Sequence, residues 1–455
     1  MTTSISPDFA PDFELTEPAR VVVLGAARSG LAAAEFLQQK NYAVTLSDAG
    51  SLSEEARQRL STASIAFEEQ GHTEGFLQEA DFLVASPGIP LTAPPFVWAK
   101  KHGIAVVSEV ELAWQFLQKM SSRPRLIAVT GSNGKSTVVT LLETLFNTAG
   151  FKAKACGNIG TPLIQCVEGG FDTLILEISS FQLETTYTLR PDGAILLNLY
   201  ENHLDRHGAM DTYFEIKSRL FAHQRDADVA VLSRTNPWCK RLTARLSGRV
   251  CTFALPFAEM LMYRGKPLMP ISDIALKGEH NLENVQAVKT LAAAFDVQEA
   301  ALKTTLETFR GIPHRLEPLP DVRERHFIND SKSTNYLAAQ KALQAMDRPV
   351  IWIAGGKDKG GDFSELAQWA HKRAKHTVLM GECAPYFAQL LIQSGYNQIT
   401  QVSTMQEAVE AAVEHAQSGD TVLLSPATAS YDAYANFEAR GDDFKAHVDQ
   451  LVSKA

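Results

Sequence analysis

Cysteine is scarce in this chain, with five in 455 residues: Cys156, Cys166, Cys239, Cys251 and Cys383. They are odd in number, scattered and never spaced C-x-x-C, which excludes a disulfide framework and points to a reducing, cytoplasmic setting. No apolar run approaches the ~20 residues of a membrane span, so no membrane partner is expected. Positive charge is also short: 43 Lys and Arg against 52 Asp and Glu leave a net charge of −9. That balance argues against a nucleic acid or an anionic membrane as partner. It leaves room for a phosphorylated small molecule, which needs only local positive charge. The stretch Met1 to Glu17 has no basic region followed by an apolar one, so no signal peptide is expected, and residues 1–19 read as a flexible lead-in. Two strict glycine signatures are missing as well. Gly25-Ala26-Ala27-Arg28-Ser29-Gly30 is G-x-x-x-x-G rather than the dinucleotide G-x-G-x-x-G. Where G-x-x-x-x-G-K-[ST] would begin, position 129, the residue is Val129.

The composition is that of an ordinary globular protein, 45% hydrophobic and 21% charged, at a length that suits about three domains. Strand-like apolar runs alternate with helix-like segments almost throughout, which predicts an α/β protein with mainly parallel sheets. Three blocks are expected. The first, 20–123, opens with the strand Val21–Leu24, the glycine turn, an Ala-rich helix through Lys40 and a second strand ending at Asp48, a Rossmann-like unit. Asp48 could meet a ribose or base edge, or be a solvated turn residue. The strand Phe82–Ala85 ends in Ser86-Pro87-Gly88-Ile89-Pro90, a rigid turn at a strand's carboxyl end, where ligands bind in open α/β sheets. A polar linker, Ser121–Pro124, leads to the second block, 124–313. After Gly311-Ile312-Pro313 the third block, 314–455, alternates again, with strands at Val350–Ala354 and Thr421–Leu424 and a glycine turn over 355–361.

The second block opens with the strongest single signal, Thr130-Gly131-Ser132-Asn133-Gly134-Lys135-Ser136-Thr137, set between the buried-strand run Leu126–Val129 and the helix-like Val138–Leu142. Glycines let backbone N–H groups approach phosphate oxygens, and the following helix start adds partial positive charge. Lys135 can reach the β/γ-phosphates and Ser136 can offer an oxygen to Mg²⁺. A carboxylate delivered by a neighbouring strand suits the same ion, and Thr173–Leu176 delivers Glu177. Glu184, further on, reads as structural or on a helix surface. The strand expected over Ala194–Leu199 empties into Tyr200-Glu201-Asn202-His203-Leu204-Asp205-Arg206, a polar rim where His203 and Asp205 could serve a metal or hydrogen-bond structurally. A helix is expected over Asp211–His223, in which pattern alone makes Lys217 a surface lysine. Asn281 and Asn284 share a helical face and could read a purine edge, although caps are the preferred reading. Arg315, at the junction of blocks, could bind ATP, and Asn329-Asp330-Ser331-Lys332-Ser333-Thr334 packs acid, base and hydroxyls just after a strand.

In their order and spacing these segments resemble the Mur ligases, the ATP-dependent amide-forming enzymes of peptidoglycan precursor synthesis. The resemblance rests on Thr130–Ser136, Gly157-Asn158-Ile159-Gly160, Glu177–Glu184, Asn202–Arg206, His280-Asn281, Pro313-His314-Arg315, Asn329–Lys332 and Leu424–Ser430. Within the family, Ser86–Ile89, the Ser-Ser-Phe-Gln-Leu-Glu string and Asn436–Gly441 are most similar to members that add D-glutamate to UDP-N-acetylmuramoyl-L-alanine. The resemblance implies three domains: a Rossmann-like UDP-substrate domain, a central ATP-binding domain and a Rossmann-like amino-acid domain. It implies that ATP phosphorylates the substrate carboxylate and that the amine of D-glutamate attacks the acyl phosphate.

The same resemblance distributes the roles. Gly131 to Thr137, with Asn281, Arg315 and Asp330, would contact ATP, and Lys135 would hold the moving phosphoryl group. Ser136 and Glu177 would hold one Mg²⁺ and His203 a second. Lys217 matches a lysine that CO₂ converts to a carbamate, which could then approach metal. Gly25, Ala26, Ala27, Arg28, Ser29, Asp48, Ser86, Pro87, Gly88, Asn158 and His203 would serve the UDP-substrate. Lys332, Thr334, Lys359, Ser430 and Phe437 would serve D-glutamate, with Lys357 a second candidate lysine. A monomer is expected. The competing readings are a family member adding another amino acid, a folylpolyglutamate synthase, which would leave the first block without a purpose, and a non-catalytic nucleotide-binding regulator.

Overall fold

The computed structural model describes residues 13–246, 248–256, 259–357 and 363–453. The chain forms two compact units, Met1–Phe309 and Arg310–Ala455. No described helix is long and apolar enough to cross a membrane.

The first unit contains two parallel sheets. One orders its strands Ala66–Glu68, Ala43–Ser47, Arg20–Leu24, Phe82–Ala85, Ala105–Ser108. Arg20–Leu24 therefore has later strands on both sides, pairing Val21 with Val44 and with Phe82. A crevice opens at the carboxyl ends of strands where the order reverses in this way. The Gly25–Gly30 turn and the Ser86–Pro90 turn both lie there. The helix Arg28–Gln39 starts inside the glycine turn, and a Cβ on Gly30 would collide with the carbonyl of Gly25.

The second sheet runs Arg249–Phe253, Val229–Ser233, Gly193–Leu196, Arg125–Thr130, Thr173–Glu177, Ala153–Gly157, all parallel. Its strands are continuous apolar runs because helices cover both faces. Leu126, Ile127, Ala128 and Val129 are fully buried, as are Leu141, Leu142, Leu145 and Phe146 of the helix Lys135–Thr148. Each such Leu, Ile, Val or Phe side chain contributes about 1.5–3 kcal/mol relative to exposure. The register sets Val129 opposite Glu177, which brings the start of the glycine loop level with that carboxylate.

Two expectations are corrected here. The strand expected over Ala194–Leu199 stops at Leu196, because the chain turns so that Asn198 can clamp the glycine loop. The helix expected over Asp211–His223 is Met210–Ser218, followed by a tighter turn at Arg219–Phe221. An antiparallel hairpin, Met260–Tyr263 with Lys266–Pro270, adds a small separate sheet.

The second unit has one sheet, ordered Glu317–Val322, Arg325–Asn329, Thr421–Leu424, Val350–Gly355, Ala374–Met380, Ile399–Val402. The first pair is antiparallel and the rest parallel. Trp352 is fully buried in it and donates its indole N–H to the carbonyl of Ser425 at 2.8 Å.

Candidate active site

The glycine loop is built by its neighbours. Asn133 N–H donates to Asn198 Oδ1 at 3.0 Å. Ser132 Oγ accepts the N–H of Tyr200 at 2.9 Å and donates to its carbonyl at 3.1 Å. Gly134 ends the loop at φ 84°, where an L side chain is strained, and a Cβ there would also strike the amide of Asn284. Asn284 is therefore the packing partner of the loop, and Asn281 accepts from it at 3.2 Å. Neither asparagine caps the helix Glu279–Ala294, whose N-cap is Gly278, so the capping reading is corrected. Ser136 and Thr137 stand in the first turn of the helix Lys135–Thr148, where free backbone N–H groups suit an anion. Lys135 Nζ donates to the carbonyls of Gly131 at 2.9 Å and Ser132 at 3.0 Å, which keeps its charge over the loop.

Beside the loop lies an acid with one oxygen unpaired. Glu177 is 2% exposed at the end of its strand, and its Oε1 accepts from Asn158 Nδ2 at 2.8 Å. Its Oε2 is buried without any hydrogen-bond partner. A buried bare carboxylate oxygen is costly, and a cation next to the phosphate loop is the natural way to satisfy it. Among the described residues no three His, Cys, Asp or Glu side chains converge as a metal cage. This is the arrangement Mg²⁺ accepts, since it binds through one or two carboxylates plus phosphate oxygens and water.

Lys217 is the largest departure from its sequence pattern. It is 1% exposed, not on the surface, and donates to Thr130 Oγ1 at 3.0 Å from a position 4.9 Å from the Tyr213 ring centroid. Burial pushes its amine well below the ordinary lysine range, the Lys135 charge pushes the same way, and Glu177 only partly opposes them. Burial in the floor of the site thus favours the unprotonated, nucleophilic form of this amine.

His203, exposed, sits in left-handed backbone at φ 54° just before the short helix Leu204–His207, its ring 4.8 Å from that of Phe181. Asp205 is exposed on that helix. Phe181 belongs to the turn that follows Glu177, where Ser179 and Gln182 form a reciprocal capping box. Glu184 is buried, not on a helix surface, and pairs in bidentate fashion with Arg206. His207 is buried against Ser180 Oγ at 3.0 Å; burial first, then the nearby cations, lowers its pKa to about 4.

The first sheet reaches this region through Arg28, which donates to the Asn158 carbonyl at 2.9 Å. Asn158 thus touches Arg28 with its backbone and Glu177 with its side chain. Asp48 is a brace rather than a solvated residue. Its two oxygens accept from the N–H groups of Ala26 at 2.6 Å and Gly50 at 2.7 Å, which fixes the glycine turn. Ser86 is buried and bonds the Gly25 carbonyl at 3.3 Å. Pro87 is half-buried and Gly88 exposed.

The second unit gathers its own polar cluster. Asp330 is buried, accepting from Leu316 N–H at 3.1 Å and from the hydroxyls of Ser333 and Ser425, and burial raises its carboxyl above the usual range. Arg315 is exposed and Thr334 half-buried. Lys332 lies 5.8 Å from the ring centroid of Phe437, which opens the helix Phe437–Ser453. Ser430 is buried, and Lys357 pairs its backbone with Ala429. Lys359 lies outside the described residues.

The sequence reading missed the residue that holds this cluster together. Arg440, 2% exposed, donates to Ser331 Oγ and to the carbonyls of Ser331, Thr428 and Ala429 at 2.9–3.2 Å. Burial lowers its pKa to about 10. The only sequence signal was its place in Asn436–Gly441. Thr130 as the partner of Lys217 was missed too, because it was read only as the first residue of the glycine loop, whereas it ends the strand Arg125–Thr130 with its hydroxyl turned to Lys217.

Comparison with known proteins accords with this geometry. A model of the Mur ligase middle domain matches 129–292, the Mur ligase glutamate ligase domain matches 314–428, and the Mur ligase MurD-like N-terminal domain matches 19–108. A protein of Pelotomaculum thermopropionicum named UDP-N-acetylmuramoylalanine–D-glutamate ligase is 40% identical, across 94% of this chain and 97% of its own. The protein of that name from Clostridioides difficile is 34% identical over 95% and 98%. Among solved structures, the UDP-N-acetylmuramate-alanine ligase MurC of Thermotoga maritima shares the fold at TM-score 0.51 and 16% identity, over 96% of this chain and all of that one. With a glycine loop, an unpaired strand-end carboxylate and a buried lysine built from the same segments that three successive domain models match, the chain belongs to the Mur ligase family.

Proposed function

We propose that this chain is an ATP-dependent ligase that joins D-glutamate to UDP-N-acetylmuramoyl-L-alanine in peptidoglycan precursor synthesis. The geometric observation that carries the phosphoryl-transfer part is the unpaired Oε2 of Glu177, level with the start of a loop that holds Lys135 over its own carbonyls. The choice of D-glutamate rests on relatives of that name that align with nearly the whole chain.

The chemistry follows from charge and position. The substrate carboxylate attacks the γ-phosphorus of ATP, the bond to ADP breaks, and an acyl phosphate forms. Lys135 and the N–H groups from Gly131 to Thr137 neutralise charge on the moving phosphoryl group. Glu177 and Ser136 would hold one Mg²⁺ and His203 a second, and the ions would supply charge neutralisation to the phosphates. Lys217, as a neutral amine, adds to CO₂ through its nitrogen and releases one proton. The product is an anion where an ammonium would oppose a metal. Gly25–Ser29, Asp48 and Ser86–Gly88 bind the uridine diphosphate and Asn158 the muramoyl-alanine end. Asn281, Arg315 and Asp330 contact the nucleotide of ATP. Lys332, Thr334, Lys359, Ser430 and Phe437 receive D-glutamate, whose carboxylates suit lysines. Its unprotonated amine attacks the acyl carbon, and the tetrahedral adduct collapses to amide and phosphate. The protein works as a monomer in the cytoplasm, a reading that the scattered cysteines, none of them in a disulfide, support.

Substrate labelled with ¹⁸O in the alanyl carboxylate tests this sequence of bonds. One labelled oxygen is expected in each phosphate released. Unlabelled phosphate with amide formation intact would remove the acyl phosphate.

A further inference from the structure

Arg206 has no part in the chemistry above, yet it touches two segments that do, the Glu177–Glu184 stretch and the Ser86–Ile89 turn. It lies on the helix Leu204–His207, three residues after His203. Its guanidinium forms a bidentate pair with Glu184, which is itself buried. Its remaining N–H groups donate to the carbonyls of Gly88 at 3.3 Å and Ile89 at 2.9 Å, in the turn of the first sheet. Its Cζ lies 4.4 Å over the ring centroid of Phe181, whose ring is 4.8 Å from that of His203.

We infer that Arg206 is a positioning residue for the UDP-linked substrate, tying the Ser86–Ile89 turn of the first sheet to the loop that carries His203. A guanidinium is fitted to this because its planar fork can serve a carboxylate along one edge and carbonyls along another. A lysine ammonium offers neither the second edge nor the stack on Phe181. Glu184 has no substrate role here; it sets the plane of Arg206, and burial of the pair excludes water that would otherwise solvate both. The turn carbonyls accept from Arg206, so the Gly88 and Ile89 backbone is held in one orientation toward the crevice at the strand ends.

The inference rests on the proposed function, and kinetics of Arg206→Lys separate the two. KM for UDP-N-acetylmuramoyl-L-alanine should rise by about tenfold to a hundredfold, as expected for losing charged hydrogen bonds, while KM for ATP stays within about twofold. The dissociation constant of UDP alone, measured by calorimetry, should rise in parallel. Arg206→Ala should regain part of its activity with added methylguanidinium. Glu184→Gln combined with Arg206→Lys should be little worse than Arg206→Lys alone, because the two act as one unit. If KM for all substrates rises together with a fall in melting temperature, or if UDP affinity is unchanged, Arg206 is a packing residue and the inference fails. Should Arg206→Ala not fold, Arg206→Lys and the UDP measurement decide alone. If the wild type releases no phosphate in response to D-glutamate, the proposed function fails instead, and the UDP measurement still tests the tie.

Discussion

At the scale of single residues, the lysine buried beneath the phosphate loop tests the chemistry most sharply. Burial and the Lys135 charge both disfavour a proton on Lys217, and Glu177 opposes them only in part. Lys217→Ala should lower turnover by more than about a hundredfold, and short carboxylates such as formate should restore part of it by filling the place of the proposed carbamate. Unchanged activity measured by phosphate release would remove Lys217 from the mechanism. The burial of Lys217 was illegible in the sequence for a physical reason. Its helix, Met210–Ser218, alternates apolar and polar residues weakly, and a lysine near its end reads as solvated unless the fold provides Thr130. Glu177 was legible, because an apolar strand must end somewhere and a carboxylate at that end has a natural use. Arg440 was not, since nothing local marks a guanidinium that satisfies carbonyls from two distant loops.

At the scale of elements, the helix Glu109–Lys119 joins the two sheets of the first unit. Glu111 accepts from the N–H groups of Tyr187 at 2.8 Å and Thr188 at 3.0 Å. Glu109 accepts from Ile164 N–H at 2.6 Å, and its other oxygen is buried without a partner. Burial raises its carboxyl to about 7. The folded state then holds a proton that the unfolded state gives up near pH 4.3. Between these values the native state binds more protons, so the stability from Glu109 is present in acid and lost as pH rises through about 7. Glu109→Gln should therefore raise stability at pH 8 by about 3–4 kcal/mol and at pH 5 by only about 1 kcal/mol. Denaturant melts at the two pH values check this, and a loss at pH 8 would contradict it. The parallel strands were read correctly from continuous apolar runs, because burial on both faces leaves no room for polar alternation. The hairpin at Met260–Pro270 escaped because its strands are short and carry Pro267 and Pro270.

At the scale of the whole molecule, membership of the family was legible because many short motifs occur in one order, each tied to a loop that the fold must place. The chain forms two compact units, the first of which holds both the Gly25–Gly30 turn and the Gly131–Lys135 loop. The central claim is that ATP is spent on joining one particular amino acid to one particular carboxylate. The most direct measurement is phosphate release across a panel of amino acids, with and without UDP-N-acetylmuramoyl-L-alanine. Release that requires both that substrate and D-glutamate is the predicted result. Equal release with L-alanine, and no stimulation by D-glutamate, would contradict it.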